Sequence, residues 1–279
     1  MNTYKKGLPI LPQRVAIRLI AALALSGIAM PALADLRVNA SRVVHVEGSG
    51  PARVRIQNTG ERAALIQTWI DAGDSAASPE HQRAPLITTP PLFRLDSGKR
   101  TDIHVRAADT ASLPRDRESL LWLNILDIPT RKAGQEKSAF EFAAHWRLKV
   151  FHRPVGLPGS QEASAAAVQW DVVEDEDGSL SLRARNPSAY YVSLRELEMA
   201  GQVLPVAAHH AQIPPYGTWT QRIPGGVRAS NGQLPLQVKW LDGQGFVHAL
   251  STSVLIGERS VPSNDGAGDT HSFQSNAPR

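Results

Sequence analysis

From Phe140 onward the chain alternates with strict period two. Phe140, Phe142, Ala144, Trp146 and Leu148 form one series, and Glu141, Ala143, His145 and Arg147 the other. That spacing places the first series on one face of a β-strand. The strand runs into Lys149-Val150-Phe151-His152-Arg153-Pro154, a cation followed by Arg-Pro at an apparent domain boundary. A strand this regular offers an edge and a side-chain row that another chain can use.

Strand signals recur along the rest of the sequence, and helix signals are few, which argues for an all-β architecture. Leu36–Val46, Arg53–Asn58, Ala64–Ile70, Thr88–Leu95, Arg100–Arg106, Glu118–Ile125 and Phe140–Phe151 read as strands, with a turn at Asp96-Ser97-Gly98. Seven or so short strands in about 120 residues suit an immunoglobulin-like sandwich. Residues 154–160 hold two prolines and two glycines and read as an interdomain linker. A second series then begins. Val168, Trp170 and Val172 face Leu180, Leu182 and Ala184 across an Asp177-Gly178 turn, and Asn186-Pro187 makes the next turn. Tyr190–Leu197, Thr218–Ile223, Leu234–Leu241 and Val247–Ile256 complete a smaller sandwich. The expected fold is two β-sandwich domains, over 35–153 and 161–257, followed by a polar tail over 258–279 with little to bury.

Residues 1–34 stand apart. Lys5, Lys6, Arg14 and Arg18 precede an apolar run from Leu19 to Met30, and Ala32-Leu33-Ala34 supplies small residues at a cleavage site. That is the layout of a secretory signal, and the run is short for a membrane span. Nothing later is apolar for long enough to cross a bilayer, so no membrane insertion is expected once the leader is cut. The chain has 30 basic and 26 acidic residues, and the leader holds four of the basic ones and none of the acidic. The remainder is therefore formally neutral, which gives no compositional support to nucleic-acid binding. There is no cysteine. An exported chain without disulfides fits a bacterial cell envelope, and the roughly 245 residues after the leader suffice for two ordinary cores.

Several segments, in order, resemble the periplasmic chaperones that assemble pili by the chaperone–usher route. Leu113-Pro114-Arg115-Asp116-Arg117-Glu118-Ser119, with Trp122-Leu123-Asn124 and Ile128-Pro129, is similar to that family's most diagnostic stretch. Thr89-Pro90-Pro91 with Arg94-Leu95 and Gly98 resembles its preceding strand and turn, and Lys149–Pro154 its signature end of the first domain. Asn186-Pro187 with Tyr190-Tyr191-Val192, and Asp242 in a glycine-bearing loop, match in the second half.

The resemblance implies two immunoglobulin-like domains in an L with a cleft between them. It implies partners too: nascent pilus subunits, including a tip adhesin, and an outer-membrane usher. The implied activity is binding without catalysis or a cofactor, in the periplasm. A pilus subunit is a sandwich lacking its last strand, and lending that strand is β-augmentation. Phe140, Phe142, Ala144, Trp146 and Leu148 are the row suited to it, although Ala144 and Trp146 depart from the aliphatic residues expected. Trp146 and Leu148 also suit the core of the first domain itself. Arg42 and Lys149 are implied as the cations that grip the subunit's terminal carboxylate. Glu118, Arg153 and Asp242 match an ion network that sets the angle between domains. Leu65, Pro90, Leu92 and Ile128 match a surface that some members offer to the usher. The short polar connection from Pro129 to Ser138 resembles chaperones for rod-like, adhesin-tipped pili. The free molecule is also open to self-capping through its sticky edge.

Other chemistry finds little support. His209-His210 are adjacent in a loop and do not face one metal, and Glu174–Gly178 lacks the ligand spacing of a calcium loop. No nucleophile elbow, zinc cluster or phosphate loop is present. Two further classes share the all-β character. One is a structural or adhesive fibre component; the other is an envelope module for carbohydrate or peptide. A fibre subunit should carry an N-terminal extension and an incomplete fold, whereas this sandwich starts almost at once after the leader. For the third class, no convergent aromatic platform is visible.

Overall fold

Alternation decides which side chains leave water. In β3 (Ala52–Asn58) Val54 and Ile56 are 1% and 0% exposed while Arg53 and Arg55 face solvent, and in β7 (Arg100–Ala107) Ile103 and Val105 are wholly buried. A computed structural model describes residues 35–73, 84–129, 143–225 and 233–255. The leader, Phe140, Phe142 and the 258–279 tail lie outside the described residues.

The first sandwich packs two sheets. One has the order β1-β3-β7-β5, with β1 at Leu36–Val38 and β5 at Leu86–Thr89. The other has the order β2-β9-β8-β4-β6. Its strands are β2 (Arg42–Val46), β4 (Ala64–Asp71), β6 (Leu92–Leu95), β8 (Ser119–Pro129) and β9 (Ala144–Arg153). Ile56, Ile66, Leu86, Ile103, Leu123, Ile125 and Val150 fill the space between them.

Two expected strands are each broken in two. Leu36–Val46 divides into β1 and β2, which belong to opposite sheets, and Thr88–Leu95 falls across β5 and β6, which do the same. The phase of burial shows why. Leu36 is buried at an even position and Val43 at an odd one; Thr88 is buried at an even position and Leu95 at an odd one. Each shift lets the chain cross between sheets while keeping apolar residues inward, and Pro90-Pro91 supplies the second crossing without amide donors to leave unpaired.

The second sandwich opens with a helix absent from the expectation, α1 (Gln161–Ala167), capped by the Ser160 hydroxyl accepting from the Ala163 amide at 3.2 Å. Its signal was a serine cap before an alanine-rich run. One sheet follows as β10 (Gln169–Glu174), β11 (Leu180–Arg185) and β15 (Thr218–Arg222). The other has the order β13-β12-β16-β17, with β14 also paired to β12. These are β12 (Val192–Met199), β13 (Gln202–Leu204), β14 (Gln212–Ile213), β16 (Gln233–Leu241) and β17 (Val247–Leu255). Leu182, Leu197, Met199, Ile213 and Leu236 form its own core.

The acidic hairpin tip is self-satisfied: Asp175 accepts from Ser179 and Ser181, and Asp177 from Arg222. His210 is exposed, as its loop position suggests, and its ring is still held. Its ring stacks on Trp219 at 5.3 Å and Nε2 meets the Thr220 carbonyl at 2.8 Å.

Candidate functional site

β2 is an edge strand that runs parallel to β9, with Arg42 opposite Lys149 and Val46 opposite Arg153. β8 pairs antiparallel along the whole of β9, from Asp127 opposite Ala144 to Ser119 opposite His152. The two ladders have different lengths. Among the described residues, Ala144–Leu148 is bonded on the β8 side alone, so about five residues, or roughly 16 Å, of sheet edge stand open where β2 begins.

The inward row of this segment is divided. Leu148 is 5% exposed within the first domain's core, and Trp146 packs against the same cluster. Ala144 is half-buried. Of the row singled out from sequence, Leu148 is therefore engaged by its own domain. The outward row is anchored by polar bonds: His145 Nε2 meets Asn124 Oδ1 at 2.9 Å, and Arg147 binds Asp71 at 2.6 Å. Trp122 lies beneath the Arg147 guanidinium at 4.5 Å and near the Lys149 ammonium at 5.7 Å. These contacts hold the open edge extended, and sequence reasoning missed them because they join strands far apart in the chain.

Arg42 and Lys149 meet at the border of the two sandwiches. Arg42 donates to the Leu241 carbonyl at 3.3 Å and Lys149 to the Ala208 carbonyl at 3.1 Å, both in the second sandwich. Among the described residues neither has an ion-pair partner, and the Arg42 Nε is buried without a hydrogen bond. Burial, aided by the Arg42 charge, lowers the Lys149 ammonium to about 8. Burial also pulls Arg42 down, with the Asp242 charge opposing it. Two neighbouring, partly desolvated cations are poised for an anion, because each gains more from a counter-charge than a solvated cation does.

Glu118 and Arg153 form the ion pair expected of them. Arg153 Nε donates to Glu118 Oε1 at 2.9 Å, and its guanidinium lies 4.9 Å from the Tyr190 ring centroid. The other Glu118 oxygen accepts from the Tyr191 amide at 2.8 Å, and the Glu118 amide donates to the Ala189 carbonyl. Burial pushes the Glu118 carboxyl up despite these partners. Asp242 departs from the expected network. Its carboxylate takes His248 at 2.8 Å and the amides of Gln244 and Phe246 at 2.9 Å, closing its own loop. The Arg153 guanidinium instead reaches Gln161 on α1, at 3.4 Å. Asp242 and Arg153 share the lining of one cavity of about 350 Å³ with Val44, Gln161, Gly243 and Gln244. The loop sits close: a Cβ on Gly245, whose φ is +90°, would fall 2.5 Å from Ser41 Oγ.

The four residues matched to an usher surface divide as follows. Leu65 and Ile128 are direct neighbours across β4 and β8, and Leu92 pairs with Gln67 across β6. All three are partly or well exposed on the outward face of the larger sheet, with Leu92 at 56%. Pro90 lies in the turn before β6, its carbonyl accepting from Thr68.

Two immunoglobulin-like sandwiches meeting at a cationic cleft, with a half-paired strand leading into it, define a two-domain binding protein. Family models agree. "Pili and flagellar-assembly chaperone, PapD N-terminal domain" matches residues 35–158, and "Pili assembly chaperone PapD, C-terminal domain" matches 162–252. The chain belongs to this family of pilus-assembly chaperones. It is 34% identical to the probable fimbrial chaperone YadV of Escherichia coli K12 over 179 residues, 62% of this chain and 72% of the relative. It is also 34% identical to the chaperone protein FimB/FhaD of Bordetella pertussis over 206 residues, 72% of this chain and 81% of the relative. The crystal structure of YadV aligns with TM-score 0.64 and 26% identity, covering 79% of this chain and all of that one. The fibre-component reading is set aside.

Proposed function

We propose that this protein binds pilus subunits in the periplasm by lending them the open edge of β9, and passes them to an outer-membrane usher. The observation that carries the reading is where β2 starts. A client strand laid along Ala144–Leu148, parallel to β9 and end to end with β2, terminates where Arg42 faces Lys149. Its C-terminal carboxylate then lies against both cations. Backbone bonds supply affinity, and the charged anchor sets register.

The side-chain contribution comes from the inward row. Phe140, Phe142 and Ala144 enter the client's groove, Trp146 sits at the seam, and Leu148 stays in the chaperone's core. Burying each phenylalanine contributes roughly 1.5–3 kcal/mol, much of it offset by the cost of association. The Glu118–Arg153 pair holds the second sandwich at the angle that keeps the cleft open. The apolar row of Leu65, Leu92 and Ile128, with Pro90 beside it, is the usher-facing surface. A chaperone–pilin pair of known structure, SafB with the Salmonella enterica SafA pilin, shares this fold at TM-score 0.66.

Co-expression with the pilin encoded beside it tests the reading. A one-to-one complex is expected in the periplasm, and Lys149→Ala abolishes it while leaving the chaperone folded. Undiminished pilin recovery with Lys149→Ala overturns it.

A further inference from the structure

Three residues beyond the Arg42–Lys149 pair, the same two strands place His45 opposite His152. Both are buried, at 4% and 2% exposure. Their Nδ1 atoms are 3.0 Å apart, with ring centroids 5.2 Å apart and the ring planes within 24° of parallel. A hydrogen bond between two imidazole nitrogens needs one N–H and one bare lone pair. The contact therefore survives with both rings neutral and also with one ring protonated, when the cation donates. It fails with two protons, because the accepting nitrogen is consumed and two like charges face each other with little water between them.

We propose that His45 and His152 are positioning residues: their hydrogen bond clasps β2 to β9, keeps Arg42 beside Lys149, and opens when both rings are protonated, so that acid releases the client. The proposal rests on the function given above for those two cations. Three features put the clasp in control of register. β2 has five residues, pairs with β9 alone in its sheet, and does so in parallel, the weaker of the two ladders. Among the described residues, His45 is the one side chain of β2 that hydrogen-bonds a β9 side chain.

The surroundings favour the neutral pair. Glu47 bears on both rings and Arg115 on His152; the two bind each other at 2.7 Å, so their fields oppose at His152. Ser119, opposite His152 on β8, is uncharged, and its hydroxyl is buried without a partner. Burial, the largest influence on each ring, lowers both below the ordinary histidine range, and the His45 charge adds to the cost at His152. The clasp is closed at neutral pH and opens in acid.

The first measurement is amide hydrogen exchange in the free chaperone, corrected for intrinsic rate, at about pH 7 and about pH 4.5. Protection of Val43–Val46 is expected to fall at least about tenfold more than that of Val54 and Ile56 in β3. The double variant His45→Asn, His152→Asn, whose amides pair without titrating, keeps its β2 protection at both values. The second measurement is affinity for a peptide copying a client's C-terminal strand with a free carboxylate. Wild type loses at least about tenfold over the same range, and the double variant does not.

β2 protection that follows β3 in acid overturns the clasp, and so does an equal acid loss in the double variant. Lost β2 protection with unchanged peptide affinity overturns its role in placing the cations. Should the double variant not fold, wild-type exchange decides alone. A peptide that binds at neither pH counts against the proposed function, while exchange still reads the clasp.

Discussion

One carboxylate oxygen of Glu118, in the first sandwich, accepts the backbone N–H of Tyr191, in the second, at 2.8 Å. Its other oxygen binds Arg153, so a single side chain ties a strand end of one domain to the main chain of the next.

Glu118→Ala should therefore destabilise the protein by about 3 kcal/mol, the lower end for breaking a buried pair, because Arg153 retains some solvent contact. Urea unfolding measures it. Glu118→Gln keeps the bond from Tyr191 and should cost less. Because burial raises the Glu118 carboxyl, the folded protein holds its proton where the unfolded chain has lost it. Stability accordingly falls as pH rises through that window, and Glu118→Gln flattens that part of the profile.

Client affinity should decline above about pH 8, where Lys149 loses its proton in the free chaperone. A bound carboxylate raises that lysine again, so binding takes up a proton above this value. The lysine leaves affinity flat from neutrality up to this value, and above it affinity falls by up to about tenfold per pH unit. Stability of the free chaperone moves the other way, since the unfolded lysine holds its proton longer. Calorimetric titration of a client peptide at several pH values checks the slope, and Lys149→Arg, which keeps its charge, should flatten it.

Gly245→Ala should loosen the seat of the second sandwich on the first. The added methyl would meet Ser41 Oγ at 2.5 Å, in a backbone conformation that favours glycine. A cost of about 1–3 kcal/mol is expected. Gly50→Ala, with φ +83° and open space, carries the backbone strain alone and serves as the reference in thermal unfolding.

Leu92→Asp should leave stability within about 0.5 kcal/mol, since Leu92 is 56% exposed. Pilin binding should be unchanged while transfer to the usher fails. Surface pilus counts alongside periplasmic complex yield separate these two effects; intact piliation would remove Leu92 from the usher surface.

Much of this was readable in the residues. The alternation of Val54/Ile56 and Ile103/Val105 marks strands outright, and the Asp177-Gly178 hairpin appears where it was expected, with Val172 opposite Leu182. Glu118 and Arg153 were named together and are together. The breaks in Leu36–Val46 and Thr88–Leu95 were also encoded, as a change of phase in the buried positions, but an apolar run reads as one strand until its two ends are known to face different partners.

The reading of residues 1–34 as a leader, the formal neutrality of the remaining chain, the all-β class and the family motifs rest on composition and local spacing, because period-two burial and turn chemistry act within a few residues. Tertiary structure decided the rest. It gave Asp242 to His248 rather than to Arg153, committed Leu148 to its own core, brought His45 to His152, and stopped β2 five residues short of the start of β9. Each of these depends on strand register between segments far apart in the chain, which is set by the packing of whole sheets and by no local pattern.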